Sequence, residues 1–184
     1  MALIILDRDG VINHDSDDYI KSPEEWQAIP GSLEAIARLS QNGYRVVIAT
    51  NQSGLARKKF TIETLNTIHQ KMFNHLAQFG GTIEAIFFCP HGPKQGCECR
   101  KPRTGLFLDI ARRLRISLTN VPCVGDNLTD ITAAKAVNAT PILVRTGYGQ
   151  TLIDEGNVPE GVVVFDDLAA VVENMVTTTP HYSL

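Results

Sequence analysis

A chain of 184 residues with 43% apolar content falls within the size of one domain and can bury an ordinary hydrophobic core. Its formal net charge of -3 excludes a general attraction to nucleic acid or anionic membrane, leaving room for a local basic patch that takes a phosphorylated small molecule. No apolar run reaches the roughly 20 residues that cross a bilayer, and the opening MALIILD lacks the basic region and cleavage pattern of an export signal; a soluble, cytoplasmic protein with neither membrane nor nucleic-acid partner is expected.

The first element expected is a strand at LIIL (3–6), whose unbroken apolar run is that of a strand covered on both faces. Further strands are expected at RVVIAT (45–50), AIFFC (85–89), VPCVG (121–125), TPILV (140–144) and VVVF (162–165). A helix is predicted over 32–41, where Leu33, Ile36, Ala37 and Leu39 share a side between Pro30-Gly31 and Asn42-Gly43. The next, 62–79, carries Leu65, Ile68, Met72, Phe73 and Leu76 at helical spacing. Helices are also expected at 104–115, 129–138 and 166–176. This alternation predicts a Rossmann-like three-layer α/β sandwich around a mostly parallel sheet, with one domain over 1–176 and a tail over 177–184.

Ligands of such sheets bind outside the carboxyl ends of the strands, and the polar residues of interest come directly after strands. Asp7 and Asp9 leave the first strand on one side of an extended chain, with Gly10 free to turn. Alone, the pair suits a turn or cap. Together, two close carboxylates raise one pKa and can share the work of nucleophile, proton carrier and Mg2+ ligand. Asp126 and Asp130, in VGDNLTD, add carboxylates or helix caps after another strand. Thr50, Asn51 and the amides of the next residues suit phosphate oxygens; Lys101 adds a cation, and Arg100 a bidentate grip on a second phosphate or on hydroxyls.

Cys89, His91, Cys97 and Cys99 lie within eleven residues and form a Cys3His set suited to tetrahedral Zn2+, closed and therefore structural. Ordering this Pro- and Gly-rich loop would also fix Arg100 and Lys101. Cys123, inside a strand, reads as a buried apolar residue.

DRDGVIN, ATNQSG, RKP and GDNLTD, spanning residues 7–130, resemble in order and spacing the four motifs of the haloacid dehalogenase-like phosphatase superfamily. DRDG, TNQSG with GLAR, CPH, CxCRKP and VRTG resemble its heptose bisphosphate 7-phosphatase family, which supplies ADP-heptose for lipopolysaccharide; histidinol-phosphate phosphatases, the alternative, share the acidic pair, zinc loop and RKP and are similar in the five-residue spacer between His91 and Cys97, but carry TNQDG where this chain has Ser53. The resemblance implies that Asp7 forms an aspartyl phosphate and that Asp9 protonates the leaving oxygen and then activates water. It implies that Thr50 and Lys101 steady the phosphoryl group, and that Asp7, the Asp9 carbonyl and Asp126 hold Mg2+, with Asp130 in support. It also implies substrate contacts at Asp15, Tyr19, Thr50, Asn51, Gln52, Ser53, Arg100 and Lys101, no large cap domain, and a monomer acting on a small phosphosugar. A fold retained as a silent phosphosugar-binding module is the alternative of another class.

Overall fold

The computed structural model describes residues 2–178. Six strands, β1 (Leu3–Leu6), β2 (Arg45–Asn51), β3 (Ala85–Cys89), β4 (Pro122–Gly125), β5 (Thr140–Val144) and β6 (Val163–Phe165), form one sheet in the order β3-β2-β1-β4-β5-β6. Every pairing is parallel. Helices α1 (Ser32–Gln41), α2 (Ile62–Gln78), α3 (Gly105–Leu114), α4 (Leu128–Ala136), α5 (Gly149–Asp154) and α6 (Leu168–Thr178) make the crossovers and close the chain.

The apolar runs of β1 and β2 are unbroken because these central strands feed two cores. Ile4, Leu6, Val46 and Ile48 point into one cluster beneath α1, α2 and α6; Leu3, Ile5, Val47 and Ala49 point into a second beneath α3 and α4. Burying one such Ile or Leu contributes about 1.5–3 kcal/mol. β1, whose four residues are all buried, is therefore a firm base for the acidic turn at its carboxyl end.

The chain reverses its direction of travel across the sheet between β1 and β4, which makes their carboxyl ends the expected crevice. The Asp7 amide donates to the Val124 carbonyl at 2.9 Å and joins those two ends. Residues 7–31 and 90–104, which are the long connections at this edge, contain no named strand or helix, in keeping with the absence of a cap domain among the described residues.

Two differences from the expected elements have local causes. Helix α5 has six residues bracketed by Gly147, Gly149 and Gly156, too few for an apolar period to register. Helix α6 starts at Leu168 because the Asp167 carboxylate accepts from the Ala170 amide at 2.8 Å and caps it. It continues to Thr178, so the first two residues of the expected tail are helical, and 179–184 lie outside the described residues. No helix among the described residues is long and apolar enough to cross a membrane.

Candidate active site

Asp7, Asp9, Asp15, Tyr19, Thr50, Asn51, Gln52, Arg100 and Asp126 line one cavity of about 330 Å³ at the carboxyl edge of the sheet. Two predicted substrate contacts lie outside this lining. Lys101 is 2% exposed and sits beneath the floor, while Ser53 is buried.

Lys101 Nζ lies 3.1 Å from Asp7 Oδ2 and 2.6 Å from Asp130 Oδ1, and donates to the Ala49 carbonyl at 2.6 Å. Burial would depress its pKa, but Asp130 and Asp7 more than reverse this and raise it. Burial pushes Asp7 up to about 7 against the pull of Lys101, with Asp130 and Asp9 adding to the rise. Asp126 is raised well above the usual carboxylate range by burial, then by Asp130 and Asp7.

Asp9 behaves oppositely. Burial alone would raise it, yet the Arg8 charge and donors from Asn13, Arg8 and Gln52 hold it below the ordinary range. Asn13 Nδ2 reaches Oδ1 at 2.9 Å and Gln52 Nε2 reaches Oδ2 at 2.9 Å. The two aspartates therefore differ in proton affinity, but in the sense opposite to the expected roles: without a cation beside it Asp7 holds a proton more firmly than Asp9. The leading cause is burial of Asp7 and pairing of Asp9 rather than their mutual repulsion.

The amide side chains were expected on substrate but are committed within the protein. Asn51 Oδ1 accepts from the Lys101 amide at 3.1 Å and its Nδ2 donates to the Lys101 carbonyl at 3.2 Å, strapping β2 to the start of RKP. Gln52 donates to Thr50 Oγ1 at 3.0 Å as well as to Asp9.

Asp7, Asp126 and Asp130 place oxygens within 4.8 Å of one another. Asp130 is already engaged, by Lys101 and by the Asn127 amide at 3.1 Å in the capping box that starts α4. Asp7 and Asp126 line the cavity and Asp130 does not, so the first two are the side chains presented to a cation. Five aspartates, 7, 9, 15, 17 and 126, face a cavity whose lining has one basic side chain, Arg100. A phosphate monoester would be repelled unless a divalent ion intervened, so the donor set fits Mg2+.

Tyr148 had no role assigned from sequence. Its amide donates to Asp126 Oδ2 at 2.8 Å and its phenol donates to Asp17 Oδ1 at 2.6 Å, joining the turn after β5 to the acidic loop. Gly10 (φ 78°) and Gly147 (φ 59°) flank Asp126, and a Cβ at either would collide with its Oδ2. The signal was available, because Thr146-Gly147-Tyr148 comes after a parallel strand at its carboxyl end.

Cys89, His91, Cys97 and Cys99 form a second cluster. Cys89 Sγ lies 3.6 Å from His91 Nδ1, 3.7 Å from Cys97 Sγ and 3.2 Å from Cys99 Sγ, and His91 Nδ1 lies 3.3 Å from Cys99 Sγ. A tetrahedron with arms of roughly 2.3 Å has edges of about 3.8 Å, so four donors at this spacing fit one zinc with no open position. Cys123 is buried in β4, apart from the cluster.

The zinc loop was expected to fix both basic residues, but Lys101 has its own anchors in Asn51, Asp130 and Ala49. Arg100 Nη1 instead donates to the His91 carbonyl at 3.3 Å, inside the loop. Stripping zinc is therefore expected to raise KM roughly tenfold or more through Arg100, with a smaller change in kcat. Zinc content, measured beside both constants before chelation and after zinc is restored, checks this; unchanged kinetics in zinc-free protein would refute it.

A family model described as haloacid dehalogenase-like hydrolase matches residues 4–73, and a second, HAD-hydrolase-like, matches 98–171. The chain is 58% identical over 175 residues to the D-glycero-beta-D-manno-heptose-1,7-bisphosphate 7-phosphatase of Bordetella bronchiseptica, with 95% of this chain and 98% of the relative covered. It is 50% identical to the enzyme of the same name from Pseudomonas putida, with 96% and 100% covered. The crystal structure of the B. bronchiseptica D,D-heptose 1,7-bisphosphate phosphatase, complexed with magnesium and phosphate, superposes with a TM-score of 0.95 at 56% identity, with 97% of this chain and 100% of that one covered. On motifs, fold and length alike, the chain belongs to the haloacid dehalogenase-like hydrolases and, within them, to the D-glycero-beta-D-manno-heptose-1,7-bisphosphate 7-phosphatase family.

Proposed function

We propose that this single-domain enzyme, working in the cytoplasm, where a reducing environment suits zinc-bound Cys89, Cys97 and Cys99, removes the C7 phosphate of D-glycero-beta-D-manno-heptose 1,7-bisphosphate on the way to ADP-heptose. The observation that carries the reading is one cavity shared by Asp7, Asp9 and Arg100, a nucleophile, a proton carrier and an anion grip. Magnesium, held by Asp7, the Asp9 carbonyl and Asp126, would supply the positive charge that keeps both carboxylates ionised and neutralises phosphoryl oxygens.

An Asp7 carboxylate oxygen attacks phosphorus, and the bond from phosphorus to the C7 oxygen breaks. Asp9 gives its proton to that departing oxygen. The negative charge of the arriving phosphate raises the proton affinity of Asp9 against the pull of Arg8. Asp9 then takes a proton from the water that cleaves the aspartyl phosphate, which returns Asp7 and releases inorganic phosphate. Lys101, from beneath, offsets charge on Asp7 and on the transferring group.

Arg100 favours the sugar bisphosphate over histidinol phosphate. A second phosphate gives the guanidinium a bidentate partner, whereas an amino alcohol offers it a like charge. Asp15 and Tyr19 line the same cavity, which supports contacts from both to sugar hydroxyls. The specificity constant for the heptose bisphosphate is expected to exceed that for histidinol phosphate by about 100-fold or more. The reverse order would overturn the substrate assignment, and no phosphate release from either would leave a silent binding module.

A further inference from the structure

Asp9 is gripped by a buried pair that takes no part in the phosphoryl transfer itself. Arg8 is 1% exposed, and His69 on α2 is 7% exposed. Arg8 Nε donates to Asp9 Oδ1 at 3.0 Å, and Nη2 donates to Oδ1 at 2.8 Å and to Oδ2 at 3.0 Å. The remaining nitrogen, Nη1, lies 3.2 Å from His69 Nε2.

A guanidinium has no acceptor, so Nη1 donates and His69 Nε2 carries the lone pair, with the ring proton on Nδ1. Burial and then the Arg8 charge push His69 down to about 4, which keeps the ring neutral. Take the acceptor away and a buried N–H loses its partner, freeing the guanidinium to turn in search of another. Asn13 and Gln52 hold one Asp9 oxygen each, and Arg8 makes the other three contacts to the carboxylate.

We propose that His69 is a positioning residue for the reaction: by accepting from Arg8 it locks the guanidinium that aims the Asp9 carboxyl at the leaving oxygen. The proposal rests on the reading of Asp9 as proton donor. Proton transfer needs heavy atoms within about 2.6–3.2 Å of each other, and a misplacement of about 1 Å costs on the order of 100-fold. His69 would thus govern the chemistry without touching substrate.

The test varies how much the leaving group needs a proton. A sugar alkoxide needs one and p-nitrophenolate hardly does, and kcat/KM reports that first cleavage for both substrates. His69→Leu is expected to lower kcat/KM for the sugar phosphate roughly tenfold while changing it less than about twofold for p-nitrophenyl phosphate. His69→Gln, whose amide oxygen can stand near the lost Nε2, should recover most of the activity. Equal losses on both substrates, no loss on either, or a Gln variant as poor as Leu would overturn the proposal.

Asp9→Asn is measured alongside. If it shows the leaving-group-dependent loss and His69→Leu does not, the positioning role fails alone. Should Asp9→Asn lose both substrates equally, the proton-donor reading fails and takes the proposal with it. If His69→Leu does not fold, His69→Phe, a planar ring without the acceptor, carries the same comparison.

Discussion

Replacing Asp7 with asparagine is expected to lower kcat by on the order of 10⁴-fold or more, because an amide cannot form the acyl phosphate and no neighbour stands in for it. Asp9 is held by Arg8, Asn13 and Gln52, Asp126 accepts from the Tyr148 amide beside the cation site, and Asp17 accepts from the Tyr148 phenol. The fold should not suffer. In the unfolded chain Asp7 ionises near 3.8, and in the fold burial pushes it up to about 7. A carboxyl with a raised folded pKa costs the native state stability as pH climbs from the lower value to the upper. In magnesium-free buffer Asp7→Asn escapes that cost, so its advantage over the parent should grow between pH about 4 and about 7 and then level off. Thermal unfolding over that range checks the sign, and phosphate release checks the turnover. A variant retaining a tenth of the parent's activity would remove Asp7 as nucleophile.

The sequence marks the proposed nucleophile because its signal is local. The runs at 3–6, 85–89 and 140–144 match β1, β3 and β5 residue for residue; β1 is apolar and buried throughout, and β5 is buried at Ile142, Leu143 and Val144. The residues just beyond each strand then fall at the crevice by topology. Their partners depend on distant segments and are not written locally. Nothing in TNQSG says that Asn51 would spend its amide on the Lys101 backbone fifty residues away. Nor does DRDG reveal that Arg8 would fold back onto Asp9 and find its acceptor on α2. Tyr148 is marked only by its place after β5, because the role of its amide comes from the backbone, where residue type carries little information.

Lys101 is where long-range partners matter most, and Lys101→Met is expected to lower kcat by roughly 10²–10³-fold and to destabilise the fold by about 3–5 kcal/mol. Methionine fills similar volume but leaves Asp7 and Asp130 facing each other without a cation and the Ala49 carbonyl without its donor. The pH dependence separates this from a packing defect. Lysine has its folded pKa raised here, so its contribution is fully present below the ordinary value of 10.5 and is lost only above the folded one. Through neutral pH the lysine itself stays charged, and any change must come from the acids. Without Lys101 the Asp7 carboxyl, already at about 7, is pushed higher. The variant's native state then keeps a proton that the parent's releases, and the deficit widens as pH rises above about 7. Denaturant unfolding in magnesium-free buffer at pH about 6 and about 8.5 should show the larger deficit at the higher pH. A pH-independent loss would instead mean that Lys101 serves by shape alone.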